Sequence, residues 1–507
     1  MERMIKALPL PILLMGVSAL AMYVPAIHAL LTHHHHTARS FFYSATLFLF
    51  ATALIGLANG SNPRPARAGR ASLLIMLAAF TVLPVMLAVP FYIAVRDTSF
   101  FNSWWEMVSA FTTTGGTLYE PDRLVGSVHL WRGLVAWMGG FFILVMAIAV
   151  LAPMRLGGFE VFFSGGPSGA PAAAAPAADG GAEMSERIAH YAVSLAPIYT
   201  GLTVLLWVCL LMAGDRSLTA LIHAMSTLST SGISPVGGMA NARSGVAGEM
   251  VIFVFFLPAL SRRLWPGGGE LRASPKLIDD PELRLAAGLV ILVPLFLFLR
   301  HWIAALEVRT PGDFGAIFRS IWGSLFTSLS FLTTTGFESN GWHDARDWSG
   351  LGTPGLILAG LAIIGGGVAT TAGGVRLLRV YALLRHGERE LDKLIYPNSI
   401  AGGGMMARRL RREGAYISWI VFMLFAISIA GVMMAASLFG LSFEPATILT
   451  IAALSNTGPL AGIAADVPLS WAHLSEPIKA VFAFAMVLGR LETLAIIALF
   501  NPEFWRA

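Results

Sequence analysis

Apolar runs of membrane-crossing length alternate along the chain with shorter stretches that end in hydroxyl residues and glycine. The first run covers residues 4–31, with Arg3 before it and Lys6 near its start, and a second covers 41–58. The first is long for the apolar core of a signal peptide and the second follows soon after, so both read as retained transmembrane helices. Beyond them one module recurs: an apolar run, a re-entrant stretch ending in a glycine motif, a second apolar run. The modules comprise residues 73–95, 104–116 and 131–152, then 191–213, 218–232 and 250–260. The third comprises 283–302, 314–336 and 354–384, and the fourth 417–439, 445–458 and 478–500. The central stretches are too short to span as helices. Non-helical backbone at membrane depth survives only where protein or a water-filled cavity surrounds it. Each module is therefore predicted to be helix, pore loop, helix.

The four central stretches share one motif: AFTTTGG (110–116), TLSTSGI (227–233), FLTTTGF (331–337) and ALSNTGP (453–459). They align on Gly115, Gly232, Gly336 and Gly458. The preceding position holds Thr114, Ser231, Thr335 and Thr457, and the one before that Thr113, Thr230, Thr334 and Asn456. Three positions before the glycine stand Thr112, Ser229, Thr333 and Ser455. The spacing of roughly 100 to 120 residues is too long for a solenoid repeat and long enough for a small structural unit. One Thr-Gly turn at a helix end is common. Four, each between apolar runs and in the same order, point to a ring. The fold class expected is an all-α polytopic membrane protein: four pseudo-symmetric helix–pore-loop–helix repeats around one pore, plus two N-terminal transmembrane helices. The divisions are 1–66 for those two helices, 67–164 for the first repeat, 165–184 for a linker, 185–280, 281–412 and 413–507 for the remaining repeats.

Composition agrees with the spans. The chain is 56% hydrophobic and 12% charged, against about 25% charged in soluble domains, and its mean hydropathy is +0.70. The lone cysteine, Cys209, excludes an intramolecular disulfide. A net charge of +5 would fit nucleic acid, but the basic residues cluster in loops between the spans, which membrane topology explains better. Arg64, Arg67 and Arg70, then Arg262, Arg263, Arg272 and Lys276, then Arg385, Arg389, Lys393, Arg408, Arg409, Arg411 and Arg412 fall on one side, expected to be cytoplasmic together with both termini. The motif glycines then face outward, near Asp97, Glu120, Asp122, Glu338, Asp344 and Asp466. Arg96 and Arg346 dilute that negative charge, so cation concentration at the mouth is mild. Residues 165–181 form an Ala/Pro/Gly linker expected to be disordered. The cluster His33 to His36 lies in a short loop, where solvation is a commoner role than metal chelation.

The loop chemistry is that of a cation filter. A dehydrated cation needs several oxygens at fixed distance, and backbone carbonyls supply them when the chain is extended toward one axis. Glycine tolerates the dihedrals this requires, and flanking Thr and Ser tie the loop to its pore helix or add an oxygen. Two further features lie on the expected axis. The second run of the third module is interrupted by GGGVATTAGG (365–374), containing Gly365, Gly366, Gly367, Thr370, Thr371, Gly373 and Gly374. Glycines in membrane helices serve close packing, but this density exceeds that need and predicts an unwound intramembrane loop. The other feature is Arg490 in an apolar run, where charged residues face a cavity or a partner. On the axis it would act as a barrier to cations below the filter; otherwise it is a strut bonded to carbonyls. Glu492 lies on a different helix face and is not expected to pair with it.

These loops, together with GGGVATTAGGVR (365–376) and LGRLE (488–492), resemble the Trk/Ktr/HKT superfamily of potassium transporters. The two extra N-terminal helices, NTGP (456–459) and DDPELR (279–284) resemble its bacterial TrkH type, and the resemblance covers nearly the whole chain. It implies potassium uptake in the bacterial inner membrane through one asymmetric pore per subunit. The K⁺ ion is then the substrate, held at Thr113, Thr114, Gly115, Thr230, Ser231, Gly232, Thr334, Thr335, Gly336, Asn456, Thr457 and Gly458. It implies a gate at 365–374, a conserved arginine matching Arg490, a homodimer in membrane lipid, and a cytosolic TrkA-type ring that alone carries a nucleotide, NAD or ATP/ADP. Two departures stand out: the linker is longer than expected, and Val368-Ala369-Thr370-Thr371 replaces the more usual Ser and Gly. Relatives with serine at the first filter glycine tend to conduct Na⁺; Gly115 favours K⁺.

Two alternatives stay open. One is a Na⁺-conducting or H⁺- or Na⁺-coupled transporter of the same superfamily. The other is a polytopic membrane enzyme, which would need a cluster of acids, histidines or a metal motif at the membrane edge. The acids are scattered and no zinc or phosphate-loop pattern occurs.

Overall fold

The computed structural model describes residues 9–58, 68–154, 156–163, 181–265, 277–305, 314–349, 355–396, 412–465 and 467–492. The 165–180 stretch of the expected linker, Asp466 and the basic residues Arg64, Arg67, Arg272, Lys276, Arg408, Arg409 and Arg411 lie outside them. The described residues are helical, with no strand. Among them seven helices are long and apolar enough to cross a membrane, from Leu10–Leu31 to Gly414–Leu438.

The first span is α1 (Leu10–Ala21) running into α2 (Tyr23–Leu31), and the second is α3 (His35–Ala58). Both pack on the first repeat: His28 Nδ1 lies 2.7 Å from Ser127 Oγ, and Phe41 meets Trp131 edge to face. That repeat is α4 (Ala68–Thr81), α5 (Leu83–Ala94), the pore helix α6 (Phe100–Phe111), α7 (Gly126–Met146) and a short α8 (Phe159–Phe163). The second repeat is α9 (Gly181–Met212), the pore helix α10 (Ser217–Ser229) and α11 (Gly245–Phe256). The third is α12 (Pro281–Ala305), the pore helix α13 (Phe314–Leu332), α14 (Trp342–Ser349), α15 (Gly355–Ile364) and α16 (Leu377–Ile395). The fourth is α17 (Arg412–Leu438), the pore helix α18 (Phe443–Leu454), α19 (Leu460–Ile463) and α20 (Glu476–Leu491).

Glycines let the pore helices end against the second helix of their repeats. A Cβ at Gly139 on α7 would strike the carbonyl of Phe111, the last residue of α6, and one at Gly489 on α20 would strike that of Leu454, the last residue of α18. The run over 354–384, expected to be interrupted at 365–374, is two helices with a non-helical break between them. α15 stops at Ile364, and α16 restarts at Leu377 and continues to Ile395 through charged residues.

Candidate pore-loop site

Each pore helix ends in the same hydrogen-bonded cap, a Schellman motif. The N–H groups of Thr114, Ser231, Thr335 and Thr457 donate to the carbonyls of Ser109, Ser226, Ser330 and Ala452, five residues back, at 2.8 to 2.9 Å. The N–H groups of Thr113, Thr230, Thr334 and Asn456 donate three residues back to Ala110, Thr227, Phe331 and Ala453. Such a cap requires a left-handed residue, ordinarily glycine. Here Thr113, Thr230, Thr334 and Asn456 hold it, with φ of 56°, 53°, 57° and 54°. For β-branched threonine this is a sparsely populated conformation costing on the order of 1–3 kcal/mol, the kind of strain that concentrates at functional sites.

The hydroxyls are used behind the loops. Thr112, Ser229 and Ser455 donate to carbonyls four residues back, Val108, Met225 and Ile451, and Thr333 to Ser330. The same four hydroxyls meet those of Thr114, Ser231, Thr457 and Thr335 at 2.8 to 3.2 Å. The backbone carbonyls are what remain to face the neighbouring loops. A Cβ at Gly115 would collide with the carbonyl oxygen of Ser231, one at Gly232 with that of Thr335, and one at Gly458 with that of Thr114, while Gly336 lies against Pro459. The four motifs thus meet in chain order, first to second, second to third, third to fourth, fourth to first.

The fourth loop departs from the pattern. Gly115, Gly232 and Gly336 have φ of 74°, 66° and 82°, whereas Gly458 is not left-handed. Its glycine answers to close approach: its N–H donates to the Thr114 carbonyl at 2.6 Å. Asn456 Nδ2 donates to Thr114 Oγ1 at 2.9 Å and to the Met486 carbonyl at 3.0 Å. Conformational freedom therefore accounts for three of the four motif glycines.

Residues 365–374 are not helical, with Gly365, Ala369 and Gly374 left-handed. The loop closes on itself, Val375 and Arg376 N–H groups donating to Ile363 and Ile364 carbonyls at 2.9 Å. It lies directly against the pore loops. Thr230 Oγ1 donates to the Thr371 carbonyl at 2.9 Å, Thr371 Oγ1 to Leu228 at 3.0 Å, and the Gly373 N–H to Thr334 Oγ1 at 2.7 Å. A Cβ at Gly373 would strike the Ser455 carbonyl. In the column of left-handed cap residues, Thr113 Oγ1 and Asn456 Oδ1 have no hydrogen-bond partner among the described residues.

Arg490 is buried on α20, one turn beyond Met486, whose carbonyl Asn456 holds. None of its three guanidinium nitrogens has a hydrogen-bond partner among the described residues. Glu492 does not pair with it. α20 ends at Leu491, and Glu492 turns to φ 62° and meets Arg379 Nη2 at 2.7 Å and Arg376 Nε at 3.6 Å. Arg379 Nε also reaches Glu160 at 2.5 Å, so two arginines and two glutamates form one buried, charge-balanced cluster. Arg376 donates from Nη1 to the Gly367 and Ala372 carbonyls, and Glu282 accepts from the Val368 N–H at 2.8 Å. Sequence reasoning missed these clamps although Arg376, Glu492 and Glu282 all stand inside the motifs it quoted, GGVR, LGRLE and DDPELR.

At the other face the acids are partly neutralised. Asp344 pairs with Arg319 at 3.1 Å and Glu338 lies 3.5 Å from His343. Burial raises the Glu338 carboxyl above its ordinary value, although His343 and Arg346 pull it down. Among the described residues no group of three or more His, Cys, Asp and Glu could hold a metal ion.

A helical protein whose four re-entrant caps converge between membrane-length helices is a pore-loop membrane protein. A family model described as a cation transport protein, TrkH, matches residues 318–506. The Trk system potassium uptake protein TrkH of Vibrio parahaemolyticus is 28% identical over 510 residues, covering 98% of each chain. That of Escherichia coli K12 is 28% identical over 444 residues, covering 86% of each. The crystal structure of the potassium transporter TrkH from Vibrio parahaemolyticus superposes with a TM-score of 0.79 at 25% identity over 99% of each chain. Over nearly its whole length the chain is similar to TrkH-type cation transport proteins. Its relatives are named as potassium uptake proteins, which are transporters.

Proposed function

We propose that this protein takes up K⁺ through the ring of four caps. The observation that carries this reading is the use of the hydroxyls of Thr112, Thr114, Ser229, Ser231, Thr333 and Thr335 behind the loops, with the carbonyls of Thr114, Ser231 and Thr335 toward their neighbours. Carbonyl oxygens held this way replace the hydration shell of a potassium-sized ion. The filter comprises Thr113, Thr114, Gly115, Thr230, Ser231, Gly232, Thr334, Thr335, Gly336, Asn456, Thr457 and Gly458. The 365–374 loop is the gate, supported by its bonds to Thr230 and Thr334, and Arg490 is the barrier below the filter, supported by its unbonded guanidinium. The protein works as a homodimer in the inner membrane, both termini cytoplasmic, under a TrkA-type ring that carries the nucleotide. Both relatives' names, potassium uptake proteins, support the ion.

Purified protein in liposomes should take up rubidium tracer against a K⁺ gradient and discriminate K⁺ from Na⁺. Gly115→Ser should lower that discrimination, because its side chain would meet the Ser231 carbonyl at a left-handed position. Equal K⁺ and Na⁺ permeation in the wild type would favour the Na⁺-conducting reading. Uptake that requires a proton gradient would favour coupling.

A further inference from the structure

We infer that the residue nine positions before each motif glycine is a positioning residue of the filter, tethering the strand that leaves it. This rests on the pore-loop reading above. The column holds Glu106, His223, Thr327 and Leu449, all buried on their pore helices. Three of them make a polar contact to the outgoing strand just past the glycine. Glu106 Oε2 accepts from the N–H of Leu118, three residues past Gly115, at 3.0 Å. Thr327 Oγ1 accepts from the N–H of Ser339, three past Gly336, at 3.3 Å.

The two exceptions follow from the same geometry. In the second repeat the residue three past the glycine is Pro235, which has no N–H to give. His223 Nε2 instead hydrogen-bonds Ser234 Oγ, one residue earlier, at 2.8 Å. In the fourth repeat that residue is Ala461, whose N–H already donates to the Gly458 carbonyl at 3.2 Å within a helical turn. No donor is left over, and the column is apolar Leu449. Polar character in this column thus tracks whether the outgoing strand has a group to be held.

The tethers are anchored in turn. Glu106 Oε1 meets Arg132 Nε on α7 at 2.7 Å. Asp215 Oδ2 lies 3.9 Å from His223 Nδ1, and Ser244 N and Oγ hold Asp215, each at 3.0 Å. Ser339 Oγ donates to Glu249 on α11 at 2.6 Å. Each of the first three caps is fixed at its inner end by the pore helix and at its outer end by this column, so the carbonyls between them keep their spacing.

Thr327→Val removes one acceptor at constant shape, and Ser234→Ala removes the partner of His223 from the loop side together with the acceptor of the Val236 N–H. Thr327→Ser restores the acceptor. Thr450→Val, which deletes a buried pore-helix hydroxyl that has no hydrogen-bond partner among the described residues, is the control. The K⁺/Na⁺ permeability ratio in liposomes, read with the melting temperature, should fall about threefold to fivefold in Thr327→Val and Ser234→Ala, the loss of one hydrogen bond. It should stay at the wild-type value in Thr327→Ser and Thr450→Val. A selective wild type whose folded Thr327→Val and Ser234→Ala variants keep the ratio would overturn the tethers alone. A wild type with no K⁺ preference would overturn the filter reading and the tethers with it.

Discussion

At the scale of single residues, the charge that stands out is Arg490. The cluster of Arg376, Arg379, Glu160 and Glu492 balances itself, and Arg490 is left as a buried cation with no bonded partner among the described residues. A strut would show its guanidinium on carbonyls, and this one does not. Two like charges about 6 Å apart at an effective dielectric near 20 repel by roughly 3 kcal/mol, enough to limit how tightly a cation rests below the filter. Arg490→Gln removes the charge without stripping any described carbonyl of a donor. We expect rubidium uptake to rise severalfold and the melting temperature to stay close to wild type. A destabilised protein with unchanged uptake per folded molecule would make Arg490 structural. The residue scale also marks where sequence reading stops. The Thr-Gly motif was legible because it repeats in four copies, and Arg490 because charge in an apolar run is rare. That threonine, rather than the glycine beside it, occupies the left-handed cap position was not legible, because dihedrals depend on which residue the helix ends at. Nor was the ordinary backbone of Gly458, which answers to a contact with the first loop, 342 residues away from Asn456 in the Thr114 pair.

At the scale of elements, the loop at 365–374 was readable as a break because five glycines in ten residues defeat a helix. What it rests against was not, since its partners come from the second, third and fourth repeats. It is clamped from both sides, by Thr230 and Thr334 toward the filter and by Arg376 and Glu282 on the other side. A Cβ at Gly158 would strike Val368, so the segment after α7 also closes on it. On the proposed reading, an element so placed would restrict passage below the filter without contributing to it. Deleting residues 368–371 removes the part that carries Thr371 and leaves the glycine ends to rejoin. Rubidium uptake should rise and the K⁺/Na⁺ ratio should hold. A well-folded deletion with wild-type uptake would mean the glycines serve close packing.

At the scale of the whole molecule, pore helices and their second helices are local partners, and the modular order of the chain makes them legible. The buried cluster is different, because it draws Glu160 from the first repeat, Arg376 and Arg379 from the third and Glu492 from the end of the fourth. Nothing in the spacing of these four residues predicts their meeting; only the closed ring brings them together. The cluster is therefore a test of that closure. Arg379 is its centre, reaching both glutamates and almost wholly buried at 1% exposure. Arg379→Met keeps the volume and strips two buried carboxylates of their main partner, a change that costs about 3–5 kcal/mol when one member of a buried pair is removed. The melting temperature in detergent should drop sharply. Adding Glu160→Gln neutralises the carboxylate stripped of Arg379 and keeps Glu492 with Arg376, so the double variant should recover most of the loss, since the remaining buried charges balance again. Additive damage in the double variant would show that Arg379 and Glu160 act separately. An Arg379→Met protein that melts like wild type would mean the three repeats are not joined through this cluster.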